Sequence, residues 1–180
     1  MEDPRDNKER NVTDIAPDGD VILIIGLDKV KLRVHSLFLK TASKPFSAMF
    51  GPAWKEGHEL LDRNEPVELP LPEDDSGALK LICTVLHHQN DAVPQTLAAG
   101  DVLGLAVTAD KYDCVDALKF ASRDWLRPGQ NEAGDLMLLT AAAYLFRNAQ
   151  AFKEITKALI LNHHGPYLAL SSKEIESAIT

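Results

Sequence analysis

Two cysteines in 180 residues leave room for one disulfide at most, and both lie within apolar helical patterns, Cys83 between Ile82 and Val85 and Cys114 beside Val115. They read as buried thiols, the ordinary state in a reducing compartment. Basic residues are also in short supply: 19 Lys and Arg stand against 27 Asp and Glu, for a net charge of −8. The cations are scattered, so there is no phosphate-binding stripe and nucleic-acid binding is disfavoured. No apolar run approaches the roughly 20 residues needed to cross a bilayer. The greasiest stretch, residues 136–146, is interrupted by Thr140. The opening Met-Glu-Asp-Pro-Arg-Asp lacks the basic and apolar parts of a secretory signal. The expectation is an intracellular protein, cytoplasmic or nuclear, that engages neither membrane nor nucleic acid.

Catalytic patterns are missing as well. No G-x-S-x-G, C-x-x-C or H-E-x-x-H occurs, and Gly26, Gly100 and Gly104 are not followed by the G-K-[ST] that would reach a nucleotide. Cys83 and His87 stand four apart on one helical pattern and could face one metal from the same side, but that is half a site. No catalytic, cofactor-binding or metal residue is therefore assigned. A metal-dependent hydrolase built on Cys83, His87 and His88 is the alternative from a different class.

What is present begins at Asp20. Val21-Ile22-Leu23-Ile24-Ile25 is an unbroken apolar run, which suits a strand buried on both faces. After Gly26-Leu27-Asp28, a hairpin connection, Val30, Leu32 and Val34 alternate with Lys29, Lys31 and Arg33, as a half-solvated strand requires. The period then changes from two to about 3.6. Leu37 and Phe38, followed by Phe46, Met49 and Phe50, place two short helices, the second capped by Ser43 with Pro45 in its first turn. His35, at the junction of strand and helix, is expected to use a ring nitrogen to satisfy a backbone group.

This arrangement resembles the BTB/POZ domain, through Asp20, Val21, Leu23, Gly26, Val34, His35, Leu39, Ser43, Phe46, Met49 and Phe50. A second match is the run from Leu105 through Ala109, Asp110 and Lys111 to Tyr112, and the resemblance covers about residues 18–126. It implies an α+β fold, α/β in the broad sense: a small sheet from residues 20–25, 29–34 and 66–69 flanked by short helices, plus C-terminal helices. It also implies a non-enzymatic protein-interaction module that self-associates or acts as a scaffold, or alternatively a substrate adaptor binding cullin-3. Leu37, Phe38 and Trp54 are candidate partner-binding residues, although core packing is the favoured reading of Trp54. Leu79 and Leu81 lie where adaptors carry a hydrophobic-x-Glu motif; with Leu81 in place of the acid, any cullin-3 contact is expected to be weak. Two further departures stand out. Ser36 occupies a position that is often basic in the family and lines a charged pocket with Asp20, and His87-His88-Gln89-Asn90 replaces an aromatic turn.

The chain is thus expected to divide into a mostly disordered leader at residues 1–17, a domain at 18–127 and a helical extension at 131–180, with Arg127-Pro128-Gly129-Gln130 as the boundary. Ala78, Leu79, Ile82, Val85 and Leu86 should line one face of a helix begun by acidic residues, and residues 115–126 should form another. Ala133 to Asn148 and Phe152 to Asn162 read as amphipathic helices, with a last short one from Lys173 to Ile179. The leader holds only Val12 and Ile15 as larger aliphatics. It lacks the amphipathic helix of tightly intertwined family dimers, so any self-association should be dissociable.

Overall fold

The computed structural model describes residues 12–52, 57, 65–129 and 131–179. These residues form an α+β structure that divides into two compact units, residues 1–90 and 91–180. The described elements of the first are β1 (Val12–Asp14), β2 (Val21–Ile25), β3 (Val30–Val34), α1 (Ser36–Ala42), α2 (Lys44–Met49), β4 (Val67–Leu71) and α3 (Ser76–Leu86). Those of the second are α4 (Ala99–Lys111), α5 (Ser122–Trp125), α6 (Ala133–Leu145), α7 (Ala149–Asn162) and α8 (Lys173–Ile179), with 3-10 turns at Val115–Leu118 and Tyr167–Leu170.

The sheet of the first unit runs β1-β3-β2-β4. The expected hairpin is its centre: β2 and β3 pair antiparallel from Val21 against Val34 to Ile25 against Val30. Gly26 takes φ +69° at the turn, a conformation that a side chain disfavours. On β2, Val21, Leu23 and Ile25 are fully buried whereas Ile22 and Ile24 are only partly so, which corrects the expectation of burial on both faces. β4 pairs parallel with β2 along the sheet edge. It runs through Pro70 rather than stopping there; an edge strand tolerates a residue that lacks an N–H.

The start of the chain requires a correction. Val12–Asp14 is a strand, parallel to β3, and Ile15 and Ala16 behind it are buried. The Ile15 and Ala16 N–H groups both donate to the Arg33 carbonyl, at 3.1 and 3.0 Å, and Gln89 Nε2 donates to the Ile15 carbonyl at 2.6 Å. Gly19 then passes so close to β3 that a Cβ there would lie 2.5 Å from the Val34 carbonyl oxygen. Disorder is therefore the wrong description of residues 12–17, and residues 1–11 lie outside the described ones.

Ser43 caps α2 as expected, its hydroxyl accepting the Phe46 N–H at 3.1 Å, with Pro45 in the first turn. Phe46 and Phe50 are buried and their rings stack with centroids 6.1 Å apart. Met49, expected in the core, is only half-buried.

In the second unit α6 is the central helix, packed against α4, α7 and α8. Leu136, Leu139, Ala142, Ala143 and Leu145 are all buried, so it is apolar on more than one side rather than simply amphipathic. Residues 115–126 do not form one helix: a 3-10 turn and the short α5 replace it, and Trp125 is buried with its Nε1–H donating to the Pro94 carbonyl at 2.7 Å. The expected boundary at residues 127–130 falls inside this unit. The compact units separate after Asn90 instead, so the C-terminal helices share a core with α4 rather than forming an extension.

Replacing Phe46 by Ala should cost about 3–5 kcal/mol, and Met49→Ala less than about 2 kcal/mol, because only the first empties a fully enclosed site. Urea unfolding measures both. Equal losses would show that α2 is not docked through Phe46.

Candidate functional site

Among the described residues of the first unit, Asp20, His35, Ser36 and His87 gather where β3 passes into α1. α1 is seven residues long, too short to persist by itself, and its N-cap residue His35 makes no side-chain capping bond. Asp20 provides the cap from the start of β2. Its Oδ1 accepts the Ser36 N–H and its Oδ2 accepts the Ser36 hydroxyl, each at 2.6 Å. A carboxylate at this end satisfies a donor that the helix leaves open and opposes the positive end of its dipole. Asp20 and Ser36 therefore form a closed clamp at the start of α1.

One residue earlier, the His35 N–H donates to His87 Nε2 at 2.9 Å. The other nitrogen of that ring, Nδ1, lies 2.8 Å from the Cys83 carbonyl. A backbone N–H only donates and a carbonyl only accepts, so the ring must be neutral with its proton on Nδ1. Burial holds its pKa below the usual histidine value, and the neighbouring imidazoles of His35 and His88 act in the same direction. The ring is fixed further by Phe38, whose centroid lies 4.9 Å away in an edge arrangement, and by the His35 ring stacked at 6.0 Å. Phe38 also meets His88, at 5.7 Å.

It is His87 whose ring nitrogen satisfies a backbone donor, while Nε2 of His35 lies 3.2 Å from the Asp18 carboxylate. Sequence reasoning missed this role of His87. The signal that could have found it is a ring with both a donor and an acceptor at the end of a helix, where carbonyls lack partners.

This geometry bears on each candidate reaction. Ser36 is buried and its hydroxyl donates to the Asp20 carboxylate, which also accepts the Ser36 N–H. Both nitrogens of His87 are engaged by the backbone, and Cys83 beside it is buried. Among the described residues no three His, Cys, Asp or Glu side chains are placed to hold a metal ion. In the second unit burial, reinforced by Asp113, pushes the Cys114 thiol up to about 12, which keeps it in the unreactive thiol form.

The remaining predicted residues separate clearly. Leu37 is 66% exposed on α1 and Phe38 is half-buried against the imidazoles. Leu79 is fully buried, which corrects its assignment to partner binding; Leu81 is half-buried. Trp54 lies outside the described residues. Ala109 and Tyr112 are buried at the end of α4, and Asp110 there meets Arg147 at 3.3 Å, so this second group belongs to the other unit. No helix among the described residues is long and apolar enough to cross a membrane. Comparison with models of known protein families gives no match, and no curated protein matches the chain.

Asp20→Ala should destabilise the protein by about 1–3 kcal/mol, since it leaves two partly buried donors of Ser36 without an acceptor. Asp20→Asn retains one acceptor oxygen and should lose less. Chemical unfolding of the three proteins would expose a mistake: an Ala variant as stable as the parent means the carboxylate does not hold the junction.

Proposed function

We propose that the chain is a non-enzymatic, intracellular protein-interaction module of BTB/POZ type, acting as a scaffold or by self-association. One observation carries the reading: among the described residues Asp20, Ser36 and His87 are engaged in holding the strand-to-helix junction, while Leu37 projects from the same helix, two-thirds exposed. The hairpin followed by two short helices, with Asp20, Ser43 and Phe46 in structural roles, supports the family assignment. A recognition surface needs a firm frame and an exposed apolar anchor, and does not need a cleft with a poised nucleophile.

Binding to cullin-3 ranks below self-association. Leu79 is fully enclosed and Leu81 supplies neither an acid nor a well-exposed apolar contact. The isolated chain is expected to bind cullin-3 weakly or not at all, and a submicromolar affinity lost on Leu81→Ala would reverse the ranking.

Light scattering over a concentration series tests the leading proposal. The expected result is a monomer–dimer equilibrium with a dissociation constant of roughly micromolar order, in keeping with a small interface, and its loss in Leu37→Asp. Strict monomer at all concentrations, or a dimer indifferent to Leu37→Asp, would remove α1 as the self-association surface.

A further inference from the structure

His87 joins two parts of the first unit, and only its neutral ring can do so. Nε2 accepts from the His35 N–H and Nδ1 donates to the Cys83 carbonyl. A proton added at Nε2 turns the acceptor into a second donor facing the first, so the bond is lost and two N–H dipoles oppose each other. The Nδ1 bond survives that change, which leaves the ring attached to α3 and detached from the start of α1. We infer that His87 is an acid-released latch: protonation of its ring uncouples the β3–α1 junction from the end of α3 and loosens α1.

The surroundings decide when the latch opens. The His35 imidazole faces the ring from the junction, His88 follows it in the chain, Phe38 contributes an uncharged ring from α1, and Asp20 acts from the start of β2. From α3 the Cys83 carbonyl favours the charged form, as does Asp20, and the Cys83 thiol is buried nearby. Asp18 is directed at His35. Burial outweighs the favourable partners and the net effect lowers the pKa. The unfolded chain accepts this proton near the ordinary value of about 6.5, whereas the folded ring resists to lower pH. In that interval the unfolded state binds more protons, so stability falls as pH falls. The contribution is complete above the unfolded value and is lost as pH drops through the lowered folded one.

The device is a property of the folded unit and does not depend on what α1 binds. NMR on the full chain can read it through the tautomer of the His87 ring and the exchange of the His35 amide, corrected for intrinsic exchange. At neutral pH the Nδ1–H tautomer and a protected His35 amide are expected. As pH drops through the lowered value of the folded ring, the His35 protection should fall by roughly tenfold or more relative to the Leu32 amide in the middle of β3, as local opening requires. The step should disappear in His87→Gln, whose side chain does not titrate, and persist in His88→Gln. An Nε2–H tautomer at neutral pH, a His35 amide whose relative protection does not change, or equal loss at His35 and Leu32 would each overturn the proposal. If His87→Gln does not fold, the parent protein's tautomer and paired exchange rates decide it alone.

Discussion

The first unit depends on the peptide groups on either side of His35. There the chain leaves an extended strand and enters a helix within one residue, and the N–H groups at the change of direction belong to neither ladder. His87 takes the first and Asp20 the second. Hydrogen bonds to charged groups contribute about 1.5–3 kcal/mol and neutral ones about 0.5–1.5 kcal/mol, so the pair matters greatly to a helix of seven residues. Because Asp20 immediately precedes β2 and His87 is the C-cap of α3, fixing this bend also fixes the hairpin and two helices to each other.

The same economy runs through the surrounding backbone. Arg33 pairs within the sheet, its carbonyl receives two N–H groups from the segment after β1, and its side chain donates to the Gly19 carbonyl at 2.9 Å. Gln89, just beyond His87, reaches the Ile15 carbonyl. These contacts close the chain's path into β2 with polar groups that would otherwise be buried without partners. They also explain how so polar a segment is ordered: its order comes from backbone pairing and two buried residues, Ile15 and Ala16, and not from an apolar face of its own.

Local patterns were legible in the sequence. Alternation in β3 and the Ser43 cap each depend on residues a few positions apart, and both are where the sequence places them. The hairpin and the class of fold follow from them. β1 was not legible, because an edge strand with exposed Thr13 and Asp14 presents no burial period. Residues 115, 118, 121 and 125 suit a 3-10 turn as well as an α-helix, since both bring positions three apart to nearly the same side. The turn at Pro128-Gly129 was real, with Gly129 at φ +49°, but a turn marks a reversal and need not divide cores. The hydrogen bonds of the site could not be read from local pattern: Asp20 and Ser36 are separated by 16 positions, and His35 and His87 by 52.

The choice of side chain at position 87 follows from those long-range demands. The place requires an acceptor for His35 and a donor for Cys83 at two edges of one rigid ring, with ring contacts for Phe38 and for the His35 imidazole. A phenylalanine fills the space but leaves both backbone groups without their partner. Tyrosine carries its single polar atom at the tip and cannot reach both. Glutamine offers a donor and an acceptor, yet both sit at the end of a flexible chain that loses more rotamer freedom and gives the neighbouring rings less to pack against. Imidazole meets all four requirements, and the one condition it imposes is that it remain uncharged.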